Sequence, residues 1–134
     1  MVRVGETAPF PSAFRLPRHG EPALRPGDTV HVAGYAQDGP EHDGRRLYHG
    51  TGVVRATSRD STAFVYDVQT RGGMSGSPVW VVRRGPDGEA EYVIVGVHVG
   101  RHSIDRRLWA LARRIQGEAL ANVQEWVAAD SVPR

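Results

Sequence analysis

Apolar residues recur at alternate positions in several short stretches, and segments rich in glycine, proline and aspartate separate them. Thr29-Val30-His31-Val32-Ala33-Gly34-Tyr35 follows the turn signal Arg25-Pro26-Gly27-Asp28 and reads as a strand. Ala13-Phe14-Arg15-Leu16 predicts a short strand before it. A longer strand is expected from Arg46 to Ser58, bent near Gly50 or Gly52, and another from Thr62 to Val68. Glycines inside a strand pattern mark bulges or bends, which let a sheet curl on itself. Pro78 to Arg83 and Glu91 to Gly100 form a pair joined by the hairpin turn Arg84-Gly85-Pro86-Asp87-Gly88-Glu89.

After that the period changes. Leu108, Leu111, Ala112, Ile115, Ala119, Leu120, Val123, Trp126 and Val127 recur at helical spacing, with Gly117 as an interruption. The pattern predicts an all-β fold: a six-stranded antiparallel β-barrel over about residues 10–104, with a C-terminal α-helix over about 105–129 laying its apolar stripe on the barrel. Residues 1–12, with Pro9 and Pro11, read as an irregular lead-in. The polar connection from Gln37 to Arg45 reads as an exposed loop.

Composition narrows the picture. A chain of 134 residues forms one domain, here 1–134, and 16 glycines with 9 prolines suit a turn-rich β fold. Cysteine is absent, so neither disulfides nor thiolate ligands are available. All 17 basic residues are arginine, spread along a chain whose net charge is only +2. A nucleic-acid surface would cluster them with aromatics, so no nucleic-acid partner is expected. No window is apolar enough to span a bilayer, and no membrane partner is expected.

Candidate chemistry sits in Thr70-Arg71-Gly72-Gly73-Met74-Ser75-Gly76-Ser77-Pro78. Glycines on both sides of Ser75 suggest a tight exposed turn, and successive N–H groups in such a turn can converge on an anionic oxygen. A serine hydroxyl beside such donors is what acyl transfer requires; the plainer alternative is a tight turn and nothing more. His98 on a buried strand also has a plain reading, that of a satisfied core histidine. His19, His31, His42, His49 and His102 read as surface or strand-face residues. Glu41-His42-Asp43 lacks ligand spacing, so no metal and no cofactor are called for.

Gly73-Met74-Ser75-Gly76-Ser77-Pro78 resembles the nucleophile motif of chymotrypsin-like serine proteases, in the form used by the glutamyl-endopeptidase (V8-like) branch. Ala33-Gly34-Tyr35 resembles that branch's Gly-Tyr strand end, and Val95-Gly96-Val97-His98 its Gly-Ile-His strand. Asn122 to Val127 falls in the usual C-terminal helix, and the likeness runs from about residue 10 to 128. The α/β-hydrolase elbow fits poorly, because Ser77 stands where it needs glycine and a proline and strand come next.

The resemblance implies a serine endopeptidase with Ser75 as nucleophile and the backbone N–H groups of Gly73 and Ser75 as oxyanion hole. It places Thr70 and His98 in the pocket for the residue preceding the scissile bond, with acidic residues preferred there. Met74 stands where trypsin-type members carry an aspartate that pairs with a newly cut N-terminus, so that activation is not expected. The family's base histidine and orienting aspartate lie in a separate N-terminal barrel, and no segment of this chain resembles it. The chain therefore reads as the nucleophile-bearing half only, acting on a peptide or protein substrate, with a missing N-terminal barrel or partner chain supplying the base. The alternative is a non-catalytic peptide-binding or interaction module. A half-protease would expose the face that meets its sibling barrel, so self-association is expected. Met1-Val2-Arg3-Val4-Gly5-Glu6 has no signal-like run: the location is cytoplasmic if Met1 is the true start, secreted if the chain is a piece of a longer protease.

Overall fold

The computed structural model describes residues 2–3, 11 and 13–130; the expected lead-in over 1–12 lies, apart from 2–3 and 11, outside the described residues. In chain order the elements are β1 (Val2–Arg3), β2 (Thr29–Tyr35), β3 (Leu47–Thr57), β4 (Ala63–Tyr66), β5 (Pro78–Arg84), β6 (Ala90–Ile104), β7 (Arg107–Arg114) and the helix α1 (Gly117–Asp130). All strand pairings are antiparallel. The ladder runs β3-β2-β5-β6-β7-β4, and β4 returns to pair with β3, so six strands close into a barrel with β1 added outside β3.

Alternation puts the expected residues inside. Val30 and Val32 of β2, Val54 of β3, Phe64 and Tyr66 of β4, and Val79 of β5 are at most 1% exposed. Trp80 points the other way and is still buried, because the segment Ala13 to Leu16 lays Phe14 edge-on against it at 5.1 Å and His31 and His49 stack on it at 5.5 and 5.4 Å. The outer face of β2–β3–β5 thus has a small apolar cover of its own.

β3 serves two neighbours in turn. Residues Leu47 to Val53 pair with β2, and from Val54 onward the strand pairs with β4, with a register shift between Val54 and Ala56. At Gly52 the chain leaving β4 passes close: a Cβ there would sit 1.8 Å from the Asp67 carbonyl oxygen. Only glycine admits that crossing.

Three expectations are corrected. Ala13 to Leu16 makes a single parallel bridge, Arg15 with Val93, and is not a barrel strand. The sixth strand is β7, which lies inside the stretch expected to be helical, so the helix begins at Gly117 and not near residue 105. Leu108, Leu111, Ala112 and Ile115 satisfy the helical period, but Ala110 and Ala112 equally satisfy the strand period, and the open edges of β4 and β6 decide in favour of the strand. The turn joining β6 to β7 is Asp105-Arg106, with φ of 50° and 64°, so both central residues are left-handed without a glycine to signal it. The expected packing of the helix on the barrel is also corrected. With Leu108, Leu111 and Ala112 spent in β7, α1 keeps only about half the stripe and buries no residue, and Trp126 and Val127 are 66% and 56% exposed.

Gly52→Ala should destabilise the barrel by about 3 kcal/mol, since backbone and not a flexible side chain blocks the new methyl. Urea unfolding monitored by circular dichroism measures it; a loss below about 1 kcal/mol would contradict the crossing.

Candidate functional site

Between β4 and β5 the chain makes a glycine-bracketed turn. Gly73 and Gly76 have φ of +88° and +91°, a region that costs a side-chain-bearing residue strain. Between them the side chains alternate: Met74 is fully buried in the core cluster, whereas Ser75 is exposed. Burying the Met74 side chain contributes roughly 1.5–3 kcal/mol, which pins the turn to the barrel while its apex faces out.

The backbone hydrogen bonds of the turn show a pattern. The Gly72 carbonyl accepts from the Gln37 N–H at 2.7 Å, and the Met74 carbonyl from the Ser77 N–H at 3.1 Å. Met74 N–H donates to the Arg71 carbonyl at 3.3 Å and Gly76 N–H to the His98 carbonyl at 2.8 Å. In a trans peptide the C=O and N–H point in opposite directions. Holding the Gly72 and Met74 carbonyls therefore turns the Gly73 and Ser75 N–H groups away from those two bonds. Those two donors have no hydrogen-bond partner among the described residues. Two outward N–H groups flanking an exposed hydroxyl can hold an oxyanion.

His98 lies inside the barrel, 2% exposed, on β6 opposite Ala112. Its Nδ1 is 2.7 Å from the Tyr66 hydroxyl. Burial, with Arg101 adding to it, pushes the imidazole down to about 4, and burial pushes the Tyr66 phenol up. Near neutral pH the pair is thus an uncharged phenol and an uncharged imidazole joined by one hydrogen bond.

Thr70 is 4% exposed at the base of a cavity of about 200 Å³, whose walls include Arg71, Arg101, Leu108 and Trp109. Arg101 donates from Nη2 to the Thr70 carbonyl at 2.6 Å. A bulge between His98 and Gly100 aims Arg101 across the cavity. The outer rim stacks Arg107 on Trp109 at 4.3 Å and brings Arg55 to 5.2 Å, while Asp67 pairs with both guanidinium groups. The structure so brings together Ser75, Gly73 and Thr70 through one continuous segment. His98 meets the turn through the Gly76 N–H at its carbonyl and through its own N–H to the Ser77 carbonyl at 2.9 Å, and it is not one of the residues lining the cavity.

Sequence reasoning missed Arg101, Arg71 and Trp109. Their one signal was position: Arg101 follows the Val-Gly-Val-His run by three residues, and Trp109 lay in a segment read as helix.

The remaining histidines lie elsewhere. His31 Nδ1 and His49 Nε2 are 3.1 Å apart with the Thr51 hydroxyl at 2.9 and 3.4 Å, and His42 Nδ1 is 3.2 Å from Asp38 Oδ1. The Ser75 hydroxyl has no hydrogen-bond partner among the described residues. Among them, too, no three His, Cys, Asp or Glu side chains are grouped to hold a metal, and no helix is long and apolar enough to cross a membrane. Compared with known proteins, the chain matches no family model and shows no significant similarity to any curated protein.

The His98 imidazole stays neutral in the fold down to about pH 4, against an ordinary value of 6.5. The stability this contributes is complete above about pH 6.5 and is lost as the pH falls towards 4, because the unfolded chain takes up the proton first. His31 and His49, lowered by burial, add in the same direction. Between pH 7 and 4.5 the wild type should lose about 2 kcal/mol more stability than His98→Gln. An NMR titration midpoint for His98 near 6.5 would contradict the assignment.

Proposed function

We propose that this chain is the nucleophile-bearing barrel of a chymotrypsin-like serine endopeptidase. The observation that carries the reading is the Ser75 turn: an exposed hydroxyl flanked by two outward backbone donors, at Gly73 and Ser75, with Met74 holding the turn to the core. Attack of Ser75 Oγ on a peptide carbonyl would form a tetrahedral intermediate whose oxyanion lies against those donors, and expulsion of the amine would leave an acyl-enzyme for water to cleave. Each donor would supply about 2.7–4 kcal/mol of transition-state stabilisation.

The pocket beside the turn supports a preference for an acidic residue before the scissile bond. Thr70 lies at its base, and Arg71 and Arg101 give its walls positive charge. His98, neutral and not among the lining residues, would act by orienting the pocket through β6 and contribute no charge. Proton transfer from Ser75 needs a base, which a preceding barrel or a partner chain would supply within about 3 Å.

A second reading, a peptide-binding module without catalysis, is favoured by the unpartnered Ser75 hydroxyl. A fluorophosphonate probe separates the two. Labelling of the wild type that vanishes in Ser75→Ala is expected for the enzyme; peptide binding without labelling, even with the upstream coding sequence restored, supports the module. Gly73→Ala should slow labelling by about 100-fold or more through loss of one donor and strain at the left-handed position. Among peptide substrates, glutamate before the scissile bond should be cleaved fastest; preference for Phe or Arg there would remove the acidic-pocket assignment.

A further inference from the structure

The loop from Gln37 to Arg45, read from sequence as a plain exposed connection, packs on the Ser75 turn. Three observations place it there. The Gln37 N–H holds the Gly72 carbonyl at 2.7 Å. A Cβ on Gly73 would lie 2.8 Å from Gln37 Cβ and 2.9 Å from Gln37 N, and one on Gly72 would lie 3.2 Å from Asp38 Cβ. The loop is itself closed by the Gly44 N–H on the Ala36 carbonyl at 2.9 Å and the His42 N–H on the Gly39 carbonyl at 3.0 Å.

Asp38 is the point where loop and turn are joined by side chains. One carboxylate oxygen, Oδ1, lies 3.2 Å from His42 Nδ1; the other, Oδ2, faces Arg71 Nη1 at 3.6 Å. His42 in turn lies against the Tyr48 ring at 5.1 Å, at the start of β3. Asp38 therefore ties the residue just before Gly72 to a loop anchored on the barrel. Because the Gly72 carbonyl and the Gly73 N–H belong to one trans peptide, any change in the Gln37–Gly72 bond turns the Gly73 donor.

We propose that Asp38 is the positioning residue of the Gly73 anion donor: by engaging His42 and Arg71 it keeps Gln37 on the Gly72 carbonyl and so keeps the Gly73 N–H facing the site. The proposal rests on the oxyanion role given to Gly73 above. The alternative orientation of that peptide, with the Gly72 carbonyl outward, would present an acceptor where an anion needs a donor, and the site would be inactive with Ser75 unchanged.

The test uses the whole chain, labelled with 15N, as wild type, Asp38→Ala and Asp38→Asn. In Asp38→Ala the Gln37 amide should exchange with solvent about 10-fold faster and the Gly73 cross-peak should shift, while Gly96, paired in the β5–β6 ladder, stays as it was. Asp38→Asn should recover part of the protection, since its side-chain carbonyl keeps a polar acceptor beside His42 but forms no ion pair with Arg71. Unchanged Gln37 exchange and Gly73 shift in Asp38→Ala would overturn the proposal, and so would a loss of protection shared equally by Gly96. Fluorophosphonate labelling of the same variants, with a base-bearing barrel supplied, reads the other question: no labelling of the wild type under that condition removes the endopeptidase reading, whereas the amide data still decide what Asp38 holds.

Discussion

The barrel depends on a strand of four residues being paired along both edges. β4 meets β3 on one side and β7 on the other, and Phe64, Val65 and Tyr66 in it are buried. Without that double pairing the sheet would end in two open edges and the core would face solvent. The same strand sets the path of the segment after it. Its exit crosses β3 at Gly52, delivers Asp67 to the two rim arginines and Thr70 to the cavity, and leads into the Ser75 turn. Closure and site placement are two results of one short ladder.

Charge is divided by depth around this region. The interior holds an uncharged pair, Tyr66 and His98, because burial disfavours the ionised form of each. Arginines hold the surface around the cavity, where water and the faces of Trp109 accommodate the guanidinium groups. Such an arrangement keeps the core free of desolvated charge while giving the cavity a positive rim.

Much of the fold was legible. β2, β3 and β5 lie within a residue of their expected bounds, because alternation and turn residues agreed there. β7 was not legible, since its apolar positions fit two periods and its left-handed turn uses aspartate and arginine where glycine would have signalled a hairpin. At the site, the glycines around Ser75 announced the turn, and the structure adds which carbonyls are held and so which donors turn outward. The partners Gln37, Asp38 and Arg101 stood outside any local signal. They approach the turn from across the sheet, over about thirty residues of chain, and no periodicity encodes such a meeting.

The three tryptophans give the molecule an optical property of its own. Trp80 is 1% exposed beneath two imidazoles, Trp126 is 66% exposed on α1, and Trp109 forms part of the cavity wall under a guanidinium at 4.3 Å. A buried indole emits to the blue of a solvated one, and a stacked cation perturbs its neighbour's emission alone. A molecule entering the cavity would displace water and charge from around Trp109 and leave the other two indoles as they were. The wall of the cavity is thus also its fluorophore.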